Sequence, residues 1–431
     1  MNITVYRGTH EIGGTLIELR TACSRILLDA GYPLFLHGKP IDDHIASLPS
    51  GQLLSLGVLP DIKGLYKWDS PTIDAVVISH AHIDHYGLLP YIHESIPVFI
   101  SAGTKKLIEI SQRFKICDAF SLNAHIFQMY QPFSAGDFRI KPYLMDHSAF
   151  DAAAFEITNE GKTVIYTGDF RGHGRKAVCL DRFITQVPRG ADALLIEGTM
   201  FGRQDEQVLT EEELENEAVE MMNQCSGLVL FQSSSQNIDR LVSFFRASLK
   251  AKRLFVIDVY TANVLFELRQ LGNNLPYPSE QYSNIKVFYP YYLTQRVFNE
   301  IGGEYAKRFS AFHMPKDKLK EVQNQAVMLV RPSMIKDIER CTLENGTFLY
   351  SMWQGYRNSE PQLKLEQMLQ SAGFLIKSLH TSGHASVSDI RRVMIEVNPK
   401  KIVPIHTMTP DAFEGISGKV EIQTDGISFN M

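Results

Sequence analysis

The stretch His80-Ala81-His82-Ile83-Asp84-His85 comes almost directly after the apolar run Ala75-Val76-Val77-Ile78. Four metal-competent side chains therefore stand where a buried strand is expected to end. Imidazole and carboxylate groups are ligands that hold Zn²⁺, and a catalytic zinc site keeps one coordination position open. The alternative is a polar loop with three histidines by chance, which the strand-then-loop context disfavours. The stretch predicts a metal site.

Three further potential ligands each follow a short apolar segment. His147 comes after 138–144, Asp169 after 163–166, and His406 after 401–405. Taken singly, each of these residues would be interpreted as a hydrogen-bonded structural residue. Together they give several strand ends that deliver metal-binding residue types, and this favours a shared site.

The H-x-H-x-D-H motif resembles that of the metallo-β-lactamase superfamily, position for position. The resemblance implies a centre of two divalent metal ions, Zn²⁺ in the first instance with Mn²⁺ as the alternative. One ion is expected at His80, His82 and His147, the other at Asp84, His85 and His406, with Asp169 bridging both. Two cations about 3.5–4 Å apart can share a hydroxide nucleophile and clamp a phosphate during its displacement.

More than two hundred residues separate Asp169 from His406, which indicates an insertion. Its edges, 194–202 and 380–386, resemble those of β-CASP nucleases, the group that includes RNase J and the mRNA 3′-end cleavage endonuclease. The fold class expected from this resemblance is α/β, a metallo-β-lactamase αββα sandwich with an inserted α/β (β-CASP) domain. The expected boundaries are 1–204 and 379–431 for the metallo-β-lactamase domain and 205–378 for the insertion.

Within that resemblance, Glu197 matches motif A, His384 motif B and His406 motif C. A carboxylate at a strand end can fix the tautomer of a neighbouring imidazole, so Glu197 is expected to orient rather than to ligate. The alternative for Glu197 is a surface glutamate that caps a helix. The residues expected to act in catalysis are Asp84, Glu197 and His384.

His384 lies among small residues just before a predicted helix start. Together with Ser382 and Ser386, it is expected to bind a substrate phosphate and to protonate the leaving oxygen. The alternative is an N-terminal serine cap with a solvent-facing histidine.

The insertion carries a further polar turn, 231–240, after a strand-like run. Ser235 and Arg240 are expected to contact a nucleic-acid backbone, although helix capping explains the same pattern equally well. Strand-like runs alternate with helical ones through the insertion, which predicts a parallel sheet with helices on both faces.

Composition agrees with an intracellular enzyme of two domains, at 431 residues with 44% hydrophobic and 21% charged. The five cysteines show no paired spacing, no run approaches the length of a membrane span, and the start lacks an export signal, so cytoplasmic localisation and no membrane partner are expected. The net charge of −5 does not favour nucleic-acid binding, but a local basic patch can coexist with an acidic remainder. Basic residues gather at Arg331, Lys336, Arg340, Arg391, Arg392, Lys400 and Lys401.

The sequence thus predicts a metal-dependent phosphodiester hydrolase that cuts single-stranded RNA through a hydroxide held by two metal ions. A histidine at motif C is typical of the RNA-processing members of the family. The alternatives are a nuclease of single-stranded DNA, a hydrolase of a small ester, lactone, thioester or lactam, and a scaffold that has lost catalysis. A homodimer or a partner protein is left open.

Overall fold

The computed structural model describes residues 1–203, 208–272 and 274–431, and it divides into two compact units. Unit 1 comprises Met1–Glu206 and Gly383–Met431, and unit 2 comprises Gln207–Ser382. The boundary predicted between 204 and 205 lies outside the described residues. The return segment, predicted from 379, joins unit 1 from Gly383.

The strands of the described residues are listed here in chain order. They are β1 (Asn2–Arg7), β2 (Leu16–Arg20), β3 (Arg25–Leu28), β4 (Phe35–Leu36), β5 (Lys39–Pro40), β6 (Ala75–Val77), β7 (Val98–Ser101), β8 (Ala124–Phe127), β9 (Phe133–Ala135), β10 (Phe138–Leu144), β11 (Ala153–Asn159), β12 (Lys162–Tyr166), β13 (Ala193–Glu197), β14 (Val229–Gln232), β15 (Leu254–Asp258), β16 (Ile285–Phe288), β17 (Ala326–Leu329), β18 (Thr347–Tyr350), β19 (Leu375–Ser378), β20 (Lys401–Ile405) and β21 (Ser428–Asn430).

The α-helices follow in the same way. They are α1 (Asp43–Ala46), α2 (Ser50–Ser55), α3 (Ile83–Tyr86), α4 (Ala102–Arg113), α5 (Val178–Gln186), α6 (Glu211–Gln224), α7 (Ile238–Lys250), α8 (Val259–Leu268), α9 (Tyr291–Arg296), α10 (Gly303–Lys307), α11 (Lys316–Glu321), α12 (Ile335–Glu339), α13 (Glu360–Ser371) and α14 (Val387–Val397). A π-helical segment, Val297–Ile301, continues α9. Among the described helices, none has both the length and the apolar character that crossing a bilayer requires.

Unit 1 contains two large sheets that face each other. Their strand orders are β21-β1-β2-β3-β6-β7-β8 and β20-β13-β12-β11-β10-β9. One apolar core draws on both sheets, as in a sandwich whose inner faces interdigitate; it includes Ile17 and Val77 from the first and Phe155 and Val403 from the second.

Helices cover the outer faces of this sandwich. Phe183 of α5 and Val393 of α14 join a second core with Ile165 and Leu194, on the far side of the second sheet. The helix α4 contacts β7 of the first sheet and buries Leu107. The arrangement is the αββα sandwich that the sequence predicts, and that prediction is confirmed.

Unit 2 is built on one parallel sheet of order β16-β15-β17-β14-β18-β19. The strands β14 and β17 are buried along their whole length. Such continuous burial is typical of a parallel sheet that is covered on both faces. The capping box predicted at Thr210 is present, with the Thr210 hydroxyl 3.1 Å from the Glu213 amide nitrogen.

Candidate metal centre

The candidate site of unit 1 lies where several of its strands end. The histidine-rich stretch follows β6, and His147 and Asp169 follow β10 and β12. Glu197 ends β13, and His406 follows β20. Because β12, β13 and β20 are adjacent and parallel, their carboxyl ends meet at one edge of the sheet. The predicted ligands are therefore brought together by the register of the second sheet.

Three histidines form the first ligand group. His82 Nδ1 lies 3.1 Å from His80 Nε2 and 3.1 Å from His147 Nε2. A tetrahedral zinc ion with Zn–N distances of 2.0–2.1 Å places its nitrogen ligands roughly 3.3 Å apart. The spacing of these three nitrogens thus fits ligands of a single ion.

The second group contains Asp84, His85 and His406, whose candidate ligand atoms lie within 4.8 Å of one another. His406 Nε2 is 3.3 Å from Asp84 Oδ2. Asp169 Oδ2 lies 3.2 Å from His85 Nε2 and 3.8 Å from His80 Nε2. This carboxylate therefore contacts members of both groups, which is the position expected of a bridging ligand.

Two buried atoms at this point give an independent test of fit. His85 Nε2 and Asp169 Oδ2 both lack a hydrogen-bond partner among the described residues. Buried polar atoms are rarely left unsatisfied unless an ion or water completes them. A cation between the imidazole and the carboxylate would satisfy both, so these residues fit the metal ions that the motif implies.

Three of the imidazoles are oriented through Nδ1. His80 Nδ1 lies 3.0 Å from Ser79 Oγ, and His406 Nδ1 lies 2.8 Å from Thr199 Oγ1. His147 Nδ1 lies 2.6 Å from the Gly383 carbonyl oxygen, which fixes Nδ1 as the protonated nitrogen. Contacts of this kind set the tautomer and ring orientation of a metal-binding histidine and leave Nε2 for the ion.

The fourth imidazole is oriented by Asp29, a residue outside the predicted ligand set. Asp29 Oδ2 accepts hydrogen bonds from His85 Nδ1 at 2.7 Å, from Ser79 Oγ at 2.7 Å and from the Tyr166 hydroxyl. Asp29 Oδ1 accepts a 2.6 Å bond from the Ser79 amide. Asp29 is fully buried with a φ of 58°, an uncommon conformation for a non-glycine residue. The surrounding hydrogen bonds hold it there, so Asp29 is a positioning residue for His85.

Replacing Asp29 with asparagine is expected to weaken metal binding about 10- to 100-fold, because one carboxylate oxygen becomes an amide that cannot accept these hydrogen bonds. Competition with a chromogenic chelator measures the affinity. The matched control is Asp192→Asn, which alters a carboxylate that binds Lys400 Nζ at 2.8 Å, outside the centre. Equal metal affinity in the two variants would contradict the role given to Asp29.

Electrostatics favour the ligand forms of these groups. Burial lowers the pKa of His82 to about 4, so its imidazole is neutral near pH 7. Burial raises the pKa of Asp84, but the hydrogen bond from His406 and the charges of His85 and His406 outweigh it and lower that pKa to about 2. A neutral imidazole and an ionised carboxylate are the states that bind a cation.

Glu197 and His384 form a pair beside the ligands. Glu197 is fully buried, so it is not the surface cap that the sequence left open. Its Oε1 accepts the Phe170 amide at 2.9 Å, and its Oε2 lies 3.2 Å from His384 Nδ1. Burial lowers the pKa of His384, but the charges of Glu197 and Asp169 more than offset it and raise that pKa to about 8. The imidazole faces these carboxylates, and only 22% of its side chain is exposed.

The serines predicted near His384 differ in their surroundings. Ser386 is the N-cap of α14; its hydroxyl lies 3.1 Å from the Asp389 amide nitrogen and 2.8 Å from Asp389 Oδ2. This hydroxyl therefore serves the helix start, as the capping alternative predicts. Ser382 is buried, and it is the last residue of unit 2.

The predicted phosphate contacts of the insertion are corrected by the structure. Arg240 is fully buried and binds Glu211 Oε1 at 3.1 Å, so its guanidinium is occupied within unit 2. Ser235 is also buried, with its hydroxyl 2.7 Å from Thr261 Oγ1 and bound by Arg331. Both side chains stabilise the interior of unit 2, because polar residues after a buried strand are often recruited to it.

Comparisons with known proteins agree with this site. Residues 56–229 match the family model of the beta-lactamase superfamily domain. Residues 374–412 match the model of the Zn-dependent metallo-hydrolase RNA specificity domain.

Two curated relatives and one solved structure are similar to the chain. Ribonuclease J of Helicobacter pylori (strain B128) is 24% identical over 421 residues, which cover 94% of this chain and 56% of that protein. Transcription termination factor FttA of Methanothermobacter thermautotrophicus is 27% identical over 226 residues, 48% of this chain and 32% of that protein. A protein of unknown function from Enterococcus faecalis V583 superposes with a TM-score of 0.80 at 21% identity, covering 99% of both chains, which supports the fold alone. The chain spans little more than half the length of the ribonuclease J relative.

Proposed function

The chain belongs to the β-CASP group of the metallo-β-lactamase superfamily, and from that premise we propose that it is a metal-dependent ribonuclease that hydrolyses single-stranded RNA. The observation that carries the proposal is the ligand set of unit 1. Two groups of imidazole and carboxylate atoms meet around Asp169, and each group lies within 4.8 Å. This is the arrangement that phosphoester hydrolases with two metal ions require.

We propose two divalent ions, zinc with manganese as the alternative, held as the sequence predicts. His80, His82 and His147 would hold one ion, and Asp84, His85 and His406 the other, with Asp169 shared. When bound, such ions supply positive charge against the phosphate and make water acidic enough to attack it near neutral pH. The residues around them keep the ligands oriented.

The remaining chemistry is assigned to His384 with Glu197. Glu197 lies 3.2 Å from Nδ1 of His384 and holds a proton on that nitrogen, which aims the opposite side of the ring away from the carboxylate. His384 would then stabilise charge on the phosphate oxygens and deliver a proton to the leaving oxygen.

RNA is proposed as the substrate on two grounds. One matched family model is described as an RNA specificity domain, and the relative that aligns with 94% of the chain is a ribonuclease. Single-stranded DNA is the alternative that the assay must include. The free state of all five cysteines supports a reducing compartment such as the cytoplasm.

Replacing His384 with alanine tests the assignment. The kcat for end-labelled single-stranded RNA is expected to fall about 10²- to 10⁴-fold, the usual contribution of a general acid, while the metal content stays unchanged. Matched single-stranded DNA should be cut far more slowly by the parent protein. The control is His313→Ala, an imidazole of unit 2 that lies 5.0 Å from the Tyr289 ring.

Two outcomes would contradict the proposal. Undiminished RNA cleavage by the His384→Ala variant would remove this residue from the mechanism. A metal-loaded parent protein that cuts neither polymer would instead require a different substrate.

A further inference from the structure

An exposed surface of unit 2 combines aromatic rings with unpaired lysines. The helix α9 begins after the edge strand β16 and continues through the π-helical segment. Three of its rings point to solvent, with exposed fractions of 52% for Tyr291, 59% for Tyr292 and 47% for Phe298. We refer to Tyr291, Tyr292, Phe298, Lys307 and Lys336 as the aromatic–lysine surface.

Two of these rings carry an ammonium group. Lys336 Nζ lies 5.7 Å from the centroid of Tyr292, and Lys307 Nζ lies 5.4 Å from that of Phe298. Within the described part of the chain, neither lysine has an acidic partner within ion-pair distance, and both are exposed. Their charges are therefore available to an anion that approaches the rings.

The start of α9 is held firmly in place. The Tyr291 amide donates to Asp337 Oδ1 at 3.1 Å, and Lys316 Nζ binds the same oxygen at 2.9 Å. Asp337 is buried, so this contact anchors the helix to α12. Tyr291 and Tyr292 meet edge to face at 5.4 Å between centroids. An anchored pair of rings loses little conformational freedom when a flat ligand stacks on it.

We propose that the aromatic–lysine surface binds single-stranded RNA, with bases stacked on the rings and phosphates near the two lysines. The inference rests on the ribonuclease function proposed above and extends it to a second RNA contact. Stacking platforms combined with positive charge are typical of proteins that bind single strands without sequence preference. Protein interfaces, by contrast, are enriched in aromatic residues but depleted of lysine.

The size of the surface fits a short piece of strand. The seven-residue step from Tyr291 to Phe298 spans about 10 Å at the rise of a helix. At roughly 3.4 Å per stacked base, two or three bases fit along it. Glu300 and Glu304 lie on the same segment, so stacking should contribute more to binding than long-range attraction does.

The test measures the affinity of the full chain for a fluorescein-labelled 20-nucleotide RNA by anisotropy. All proteins carry Asp169→Asn so that the RNA is not consumed. Tyr291→Ser combined with Tyr292→Ser is expected to weaken binding about tenfold or more, since each stacked base contributes on that order. Lys307→Gln combined with Lys336→Gln is expected to lower the slope of log K against log salt by about 1.4, or about 0.7 for each phosphate contact.

The control is Tyr356→Ser, an exposed tyrosine of unit 2 that lies 5.2 Å from Trp353 and outside the surface. Affinity within twofold of the parent in the double tyrosine variant overturns the inference, as does an equal loss in the control. A change in sedimentation without a change in RNA affinity also overturns it, in favour of a protein partner.

A cleavage assay separates this inference from the proposed function. With Asp169 intact, the double tyrosine variant should cut a four-nucleotide RNA at the parent rate and the 20-nucleotide RNA with a raised KM. Equal KM values for both variants on both lengths would overturn the surface while leaving the ribonuclease in place. Loss of RNA binding in a protein that cleaves no RNA would support the surface and reject the enzyme.

Discussion

Replacing Asp169 with asparagine is expected to reduce RNA cleavage by about 10³-fold or more and to lower the metal content of the protein. The physical reason is the position of its carboxylate, whose Oδ2 lies 3.2 Å from His85 Nε2 and 3.8 Å from His80 Nε2. The two metal ions are expected to stabilise the transition state by several kcal/mol, and 1.4 kcal/mol corresponds to a factor of ten in rate. An amide of the same shape keeps the packing but loses the shared negative charge.

Metal content by mass spectrometry and kcat/KM on labelled RNA measure the two effects together. Asp192→Asn, which changes a carboxylate of unit 1 that pairs with Lys400, should retain both. A full metal complement in Asp169→Asn would show that this residue does not bridge the ions. Full activity without that complement would separate catalysis from the centre altogether.

The second large effect is expected on stability, at Arg240. Its guanidinium is fully buried, binds Glu211 Oε1 at 3.1 Å and donates to the Thr381 carbonyl at 3.0 Å. Arg240→Met leaves the buried Glu211 carboxylate without its countercharge, which costs about 3–5 kcal/mol in the free energy of unfolding. Urea denaturation followed by circular dichroism measures this cost.

A half-exposed arginine on the same helix gives the matched control. Arg246 binds Glu215 at 3.0 Å, but Lys250 also binds Glu215 at 2.7 Å, so Arg246→Met leaves the carboxylate paired. Its expected cost is at most about 1 kcal/mol. If Arg240→Met cost as little, Arg240 would not be a structural residue, and the nucleic-acid contact first predicted for it would have to be tested by RNA binding.

The sequence predicted the metal-ligand residues well because their pattern is local. Each predicted ligand follows an apolar run, and the carboxyl ends of β12, β13 and β20 meet at one edge of the sheet. Strand ends and residue types are visible in the sequence, and parallel pairing brings them together in space.

The groups that orient the ligands could not be predicted in this way. The Gly383 carbonyl carries no side-chain signature, yet it binds His147 at 2.6 Å. Thr199 and Asp29 resemble any polar residue at the end of a strand, and only the folded register brings them to His406 and His85. These contacts depend on pairs far apart in the sequence.

The predictions for Ser235 and Arg240 went wrong for a related reason. A polar turn after a strand looks the same in sequence whether it faces solvent or is buried. Glu211 decides the outcome, because its buried carboxylate in α6 accepts the guanidinium. An acidic helix start was visible in the sequence, but its proximity to Arg240 was not.

The most direct test of the central claim is metal dependence of RNA cleavage by the parent protein. Protein stripped by a chelator is titrated with Zn²⁺ or Mn²⁺ and incubated with end-labelled single-stranded RNA. The account predicts no cleavage without metal and full cleavage near two equivalents per chain. Cleavage at the full rate by metal-free protein would contradict it, as would two bound equivalents with no RNA product.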